Sequence, residues 1–275
     1  MADNQPEHGR WLDRVRSKAR WPTRTWAATA SLAILVLLGI WQLIAVVAGG
    51  ITLVDVAIAF GRLVVEGDAE GHTLIEHAGV SLSRVVLGFI IAVLTAVPLG
   101  IITGRYKIAS SIFGPVIEAM RPIPPIAWIP VSILMFRPSI GIAQVFIIWI
   151  GAFFPLWLNT VAGVKRTNTV HLDVARTFGA SESQVLGKIV LPSAAPEILA
   201  GFRIGFGIGW MCLVAAEMIG GGLGLGYLVI VSEQLGRTAE TISAMLVIGF
   251  FGFLITYVFL YVERHVLRWR RDVAV

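Results

Sequence analysis

The chain has 275 residues, 56% hydrophobic and only 14% charged, with a mean hydropathy of +0.81. Soluble domains hold about 45–50% apolar and about 25% charged residues, so this composition excludes an ordinary water-soluble domain and fits a chain dissolved in lipid. The net charge of +5 does not point to nucleic acid, because the basic residues flank apolar spans, and the single cysteine, Cys212, excludes an internal disulfide.

In chain order, a polar segment over 1–25 carries Arg10, Arg14, Arg16, Lys18, Arg20 and Arg24. It precedes an apolar run at 26–48, about 34 Å long as a helix. That run exceeds the apolar core of about 7–15 residues found in a cleaved signal and is long enough to span, so it reads as a retained transmembrane helix. Further apolar runs follow at 85–103, 110–136, 140–164, 198–222 and 241–261. A lone strand would leave its amides unpaired in lipid, so the fold class is all-α with six transmembrane helices. The third run contains Pro122, Pro124, Pro125 and Pro130, which predicts a kinked or broken helix.

The segments between spans alternate in charge. Sixteen Lys and Arg fall on one side, which includes residues 165–197 and the tail 265–275; four (Arg62, Arg84, Arg137 and Arg237) fall on the other. That bias predicts both termini in the cytoplasm. The outer segment 49–83 is expected to be exposed to water. Its His72 and His77, with Asp68, Glu70 and Glu76, read as a solvated helix face, with a weak metal cluster as the alternative.

The inner segment is the most informative. Residues 173–192 read DVARTFGASESQVLGKIVLP. Val170, Val174 and Phe178 recur every four residues and form a narrow apolar stripe. Gly179 supplies a helix stop that tolerates positive φ, and Ser181 with Gln184 has capping-box form, with Glu182 suiting the positive end of a second short helix. Leu191-Pro192 is expected to end that helix. A loop lying on the membrane surface is the competing reading of this periodicity.

Within the spans, Arg121 either faces a pathway and attracts an anionic group, or pairs with Glu118 near the helix end. Trp128, inside the proline-rich stretch, lines a gate or merely packs a kink. Glu217 binds a substrate or partner charge, or makes an interhelical bond. The glycines at 220–222, 224 and 226 form an irregular outer gate loop or an ordinary flexible connection, and Gly201, Gly205 and Gly209 permit close helix packing. There is no phosphate-binding loop: Gly187-Lys188 is followed by Ile189, so ATP is not handled by that mechanism in this chain. No nucleophile–base pair shares a helix face, and the chain is read as a non-enzyme that binds no cofactor.

The triplet Asp173-Val174-Ala175, with Gly179, Ile189, Leu191 and Pro192 at the matching offsets, resembles the signature loop of ABC-importer permeases. That loop is written Glu-Ala-Ala, three residues, Gly, nine residues, Ile, one residue, Leu-Pro. Asp replaces Glu and Val replaces the first Ala. RPIPPIAWIP at 121–130, PEILAGFRIGFGIGW at 196–210 and AAEMIGGGLGLGYL at 215–228 are similar to the taurine, alkanesulfonate and nitrate group of these permeases.

The resemblance implies a type I importer permease fold over 26–264 in the bacterial inner membrane. It implies a second permease copy, two cytoplasmic ATPase subunits that carry ATP and Mg, and an external substrate-binding protein. Asp173, Val174, Ala175, Phe178, Gly179, Ala180 and Ser181 would couple to the ATPase; Arg121, Trp128 and Glu217 would belong to the pathway or gate. The expected cargo is a small anion of the sulfonate, taurine or nitrate kind. A pyrimidine-type vitamin precursor, or a gradient-driven secondary transporter, is the alternative.

Overall fold

The computed structural model describes residues 23–137 and 139–267. The basic head from Arg10 to Arg20, and Arg268, Arg270 and Arg271 of the tail, lie outside the described residues. Among the described residues every regular element is helical, and five helices are long and apolar enough to cross a membrane.

The chain divides into two units, residues 1–56 and 57–275. In the first, α1 (Thr23–Ala48) has exposed apolar side chains on all sides, as a helix solvated by lipid does. Gly49 ends it in the left-handed region (φ 68°), and the Gly50 N–H closes back on the Ala45 carbonyl at 2.8 Å. The helix α2 (Leu53–Val65) then starts where Asp55 accepts from the Thr52 N–H and hydroxyl.

The second unit is built on three long helices: α3 (Leu74–Arg105), α6 (Ile140–Lys165) and α9 (Leu191–Gly220). Both α3 and α9 pack along α6 through small residues. On α3 these are Gly88, Ala92, Ala96, Gly100 and Gly104, one every four residues; a Cβ at Gly88 would sit 2.7 Å from Ile148 Cβ. On α9, Gly205 brings its backbone so close that an added Cβ would lie 3.1 Å from the Ala152 carbonyl. Dispersion at that range needs no large side chains, which is how helices associate in a solvent as apolar as they are. The stripe Gly201, Gly205 and Gly209 therefore packs within this chain.

The third expected span is broken into α4 (Lys107–Met120), a short 3-10 turn at Pro125–Trp128, and α5 (Ile129–Met135). Prolines cannot donate to a helical ladder, and four of them fall between 122 and 130. Neither piece alone is long enough to cross. The second span starts earlier than its apolar run suggests. A capping box of Thr73 and Glu76 opens α3 at Leu74, eleven residues before Val85, because His77, Ala78 and Ser81 are buried against the rest of the bundle. The segment 49–83 is thus largely helical, and His77 is not on a solvated face.

Beyond α6 come α7 (Thr169–Thr177), the single turn α8 (Glu182–Val185) and a widened π turn at Leu186–Val190 that runs directly into α9. Pro192 does not end a helix, contrary to expectation. The Leu191 N–H reaches back five residues to the Leu186 carbonyl, and this wider turn makes room for the proline ring and its missing donor at the start of α9. The helices α10 (Leu225–Gln234) and α11 (Thr238–Val266) complete the unit. Apolar side chains of α3, α9, α10 and α11, among them Val85, Leu213, Leu228 and Ala244, share one core cluster.

Candidate functional site

At one end of the bundle, residues 165–197 form an elbow. The Asn168 side chain accepts from the Val170 N–H (2.9 Å) and caps α7. Gly179 adopts φ 77°, and the Ala180 N–H bonds the Ala175 carbonyl at 3.0 Å, so the helix stops within one turn. The Ser181 and Gln184 capping box is formed, and α8 starts at once. One face of α7 is anchored: Leu172, Ala175 and Ala180 pack on a cluster of Val164, Val185, Val190 and Ala194. The opposite face is bare. Val170 and Val174 are exposed, and Phe178 is 86% exposed.

Charges brace the bend. Glu182 accepts from Arg176 (3.0 Å) and from Arg105 at the end of α3 (2.5 Å), tying the elbow to a long helix. Asp173 lies 3.8 Å from Arg176 with its side chain 73% exposed. Behind α7 an open groove of about 450 Å³ is lined by His171, Val174, Ala175, Lys188, Ile189 and Ser193. Neither the Glu182 brace nor this groove follows from the motif spacing, because both need the bend to be made first.

The break in the third span holds Arg121 and Trp128. Arg121 is exposed at the end of α4. Among the described residues it makes no ion pair; Glu118 is also exposed and is not its partner. Trp128 is half-buried. It lines an apolar cavity of about 230 Å³ together with Ile117, Met120, Phe146, Trp149 and Phe153. The indole N–H of Trp149 is already given to Thr95 Oγ1 (3.0 Å), so that ring offers the cavity only its π surface. Trp128 is thereby brought beside Met120, the neighbour of Arg121 in sequence.

Glu217 lies elsewhere, wholly buried at the glycine-loop end of the bundle. Its carboxylate accepts from Ser81 Oγ (2.9 Å), Arg84 Nη1 (3.0 Å) and the Gly226 N–H (2.9 Å). Ser81 Oγ accepts in turn from the Leu225 N–H (2.8 Å), and Arg84 Nη1 also donates to the Leu223 carbonyl (2.5 Å). His77 Nδ1 meets the Gly224 backbone, 2.9 Å from its O and 3.1 Å from its N, while Nε2 lies 3.1 Å from Asp68 Oδ2. From α6, Gln144 Nε2 donates to the Gly221 carbonyl (3.1 Å), and its own Oε1 is buried without a partner.

Removal from water pushes the Asp68 carboxyl up. The backbone N–H groups of His72 and Glu70 and the ring of His77 outweigh this and hold it below the usual carboxylate range. Sequence reasoning singled out Glu217 but not its partners. The available signal was the spacing of His77, Ser81, Arg84 and Gly88, which puts them on one helical face. No group of three or more metal-ligating side chains is formed among the described residues.

A family model described as the binding-protein-dependent transport system inner membrane component matches residues 96–272. A putative ABC transporter permease of Methanocaldococcus jannaschii is 42% identical over 201 residues, covering 72% of this chain and 74% of its own. The taurine transport system permease of Escherichia coli K12 is 33% identical over 264 residues, covering 94% and 95% of the two chains. Among solved structures, an inward-facing methionine ABC transporter superposes with a TM-score of 0.60 at 18% identity, covering 70% of this chain and 95% of that one.

Proposed function

The chain belongs to the family of binding-protein-dependent transport system inner membrane components, the permeases of ABC importers, and we propose that it moves a small anionic solute inward by alternating access. In this reading the elbow end faces the cytoplasm with both termini. A second copy completes the pathway, two separate ATPase subunits supply the work, and an external binding protein delivers the cargo. The Lys and Arg asymmetry supports the orientation. The taurine permease that aligns over nearly the whole chain supports a sulfonate-type cargo.

The carrying observation is the bare apolar face of α7 on a braced bend. A phenylalanine 86% exposed to water is costly, and burial against a partner would recover about 1.5–3 kcal/mol. The elbow is stiff because its ends are capped and Glu182 ties it to α3, so a subunit gripping Val170, Val174 and Phe178 transmits its movement into the long helices. Asp173, exposed at the surface and only loosely paired with Arg176 at 3.8 Å, pairs with a basic residue of that subunit. Val174 and Ala175 set the close approach, Gly179 and Ala180 set the bend, and Ser181 restarts the helix. Arg121 draws the anion towards the break, where Trp128 borders the path.

Asp173→Lys tests this directly. The variant is expected to insert normally and to hydrolyse ATP in its complex while losing at least tenfold in uptake. Unchanged uptake removes Asp173 from the coupling. The aromatic cavity around Trp128 favours a second cargo class, a flat heteroaromatic such as a pyrimidine-type vitamin precursor. Competition of uptake by taurine or by a hydroxymethylpyrimidine separates the two.

A further inference from the structure

Glycine-rich segments beside a pathway invite the reading of a flexible gate. The contacts of 221–226 say otherwise. Five of its six residues have their backbone held by a side chain from another element: Gly221 by Gln144, Leu223 by Arg84, Gly224 by His77, Leu225 by Ser81 and Gly226 by Glu217. Of the gripping groups, Glu217, His77 and Ser81 are buried at 0%, 0% and 1% exposure, Gln144 is also buried, and Arg84 is partly buried.

The glycines serve shape. Gly221 and Gly222 take φ of 73° and 81°, where a side chain is strained. A Cβ on Gly224 would run into the Glu217 carboxylate, and one on Gly226 into the Val214 carbonyl. Swinging this loop away would leave a carboxylate, a guanidinium and several amides without partners in a low dielectric. The proline-rich break is held quite differently. Between 121 and 128 the backbone is held by local turns, among them Arg121 N–H to the Ile117 carbonyl, Ile123 N–H to Met120, Ala127 N–H to Pro124 and Ile129 N–H to Ile126.

We infer that Glu217 welds the 221–226 loop to α3, so that α3, α9 and α10 travel as one body at this end, and that the segment which moves beside the pathway is the break at 121–128. Glu217, Ser81 and His77 are then positioning residues, not cargo ligands. The inference rests on the importer reading, since it concerns what moves when ATP is consumed.

The test is hydrogen exchange on the complex co-purified with its ATPase, compared without nucleotide and with Mg-ATP trapped by vanadate. The amides of Leu225 and Gly226 are expected to stay protected to the same degree in both states, while exchange across 121–128 changes at least severalfold. Loss of protection at Leu225 and Gly226 in the trapped state overturns the weld. An unchanged break overturns the second half of the inference. If nothing changes anywhere, the elbow included, the importer reading itself fails and takes the inference with it. A second measurement fixes the loop covalently with Ser81→Cys and Leu225→Cys in a Cys212→Ala background, so that the native thiol cannot compete. The oxidised complex is expected to keep the nucleotide-dependent exchange at 121–128, and its disappearance on oxidation with return on reduction overturns the weld.

Discussion

The two ends of the bundle solve opposite problems. At the glycine-loop end, polar side chains of α3, α6 and α9 turn inward and satisfy one another and the loop, which leaves little for an outside partner to add. At the elbow end the backbone is equally well satisfied, by caps at Asn168 and Ser181 and a left-handed stop at Gly179, yet Val170, Val174 and Phe178 are left in water. The first region is finished within one chain. The second keeps an apolar face that nothing in the described chain covers, the face the proposed ATPase subunit would take. A group buried and paired within a chain acts through stability, whereas an exposed apolar side chain on a stiff element acts through association.

Substitutions that affect stability at one end and function at the other would sharpen this contrast. Glu217→Ala is expected to cost the most, about 3–5 kcal/mol, because it strands Arg84, the Ser81 hydroxyl and the Gly226 N–H; the melting temperature of the detergent-solubilised protein reads it. Gly224→Ala should lose about 1–3 kcal/mol in the same assay, through a clash the buried carboxylate cannot relieve. Ser181→Ala removes one cap and should cost about 1 kcal/mol. Phe178→Asp should leave stability within about 0.5 kcal/mol of the parent while the ATPase no longer co-purifies. A melting loss there as large as at Glu217 would break the comparison.

The smallest effect concerns acid. Because the Asp68 carboxyl is held below its ordinary range in the folded chain, its bonds from the His72 and Glu70 amides, with the His77 ring, contribute stability above the ordinary carboxylate pKa. That contribution is lost as the pH falls through the lowered value. A melting curve taken below about pH 4 should therefore fall more steeply for the parent than for Asp68→Asn, since the unfolded carboxylate there already binds its proton.

Several features were legible in the sequence because they are local. The bend at Gly179 and the box at Ser181 depend on residues within one turn of each other, and both are formed as read. The break in the third span follows from the prolines themselves. The apolar runs gave the long helices, but the start of α3 was placed at Val85 when it lies at Leu74. Hydropathy follows lipid contact, and His77 and Ser81 avoid lipid by facing protein. The second helix of the elbow was expected to stop at Pro192, yet it continues through a π turn whose register depends on Val185, Val190 and Ala194 packing on Val164.

By itself the sequence determined that the chain lives in a membrane, how its basic residues are distributed, and that it carries an elbow with the family's spacing. Those are properties of composition and of neighbours within a few residues, which chain physics sets without a fold. The tertiary structure alone decided that Glu217 is walled in beside Arg84, that His77 meets Gly224 and Asp68, and that Trp128 borders a cavity while Arg121 makes no ion pair among the described residues. The contacts around Glu217 and His77 join residues up to about 150 positions apart in sequence, and only the close approach of small residues along α6 brings α3 and α9 near enough for their polar groups to meet.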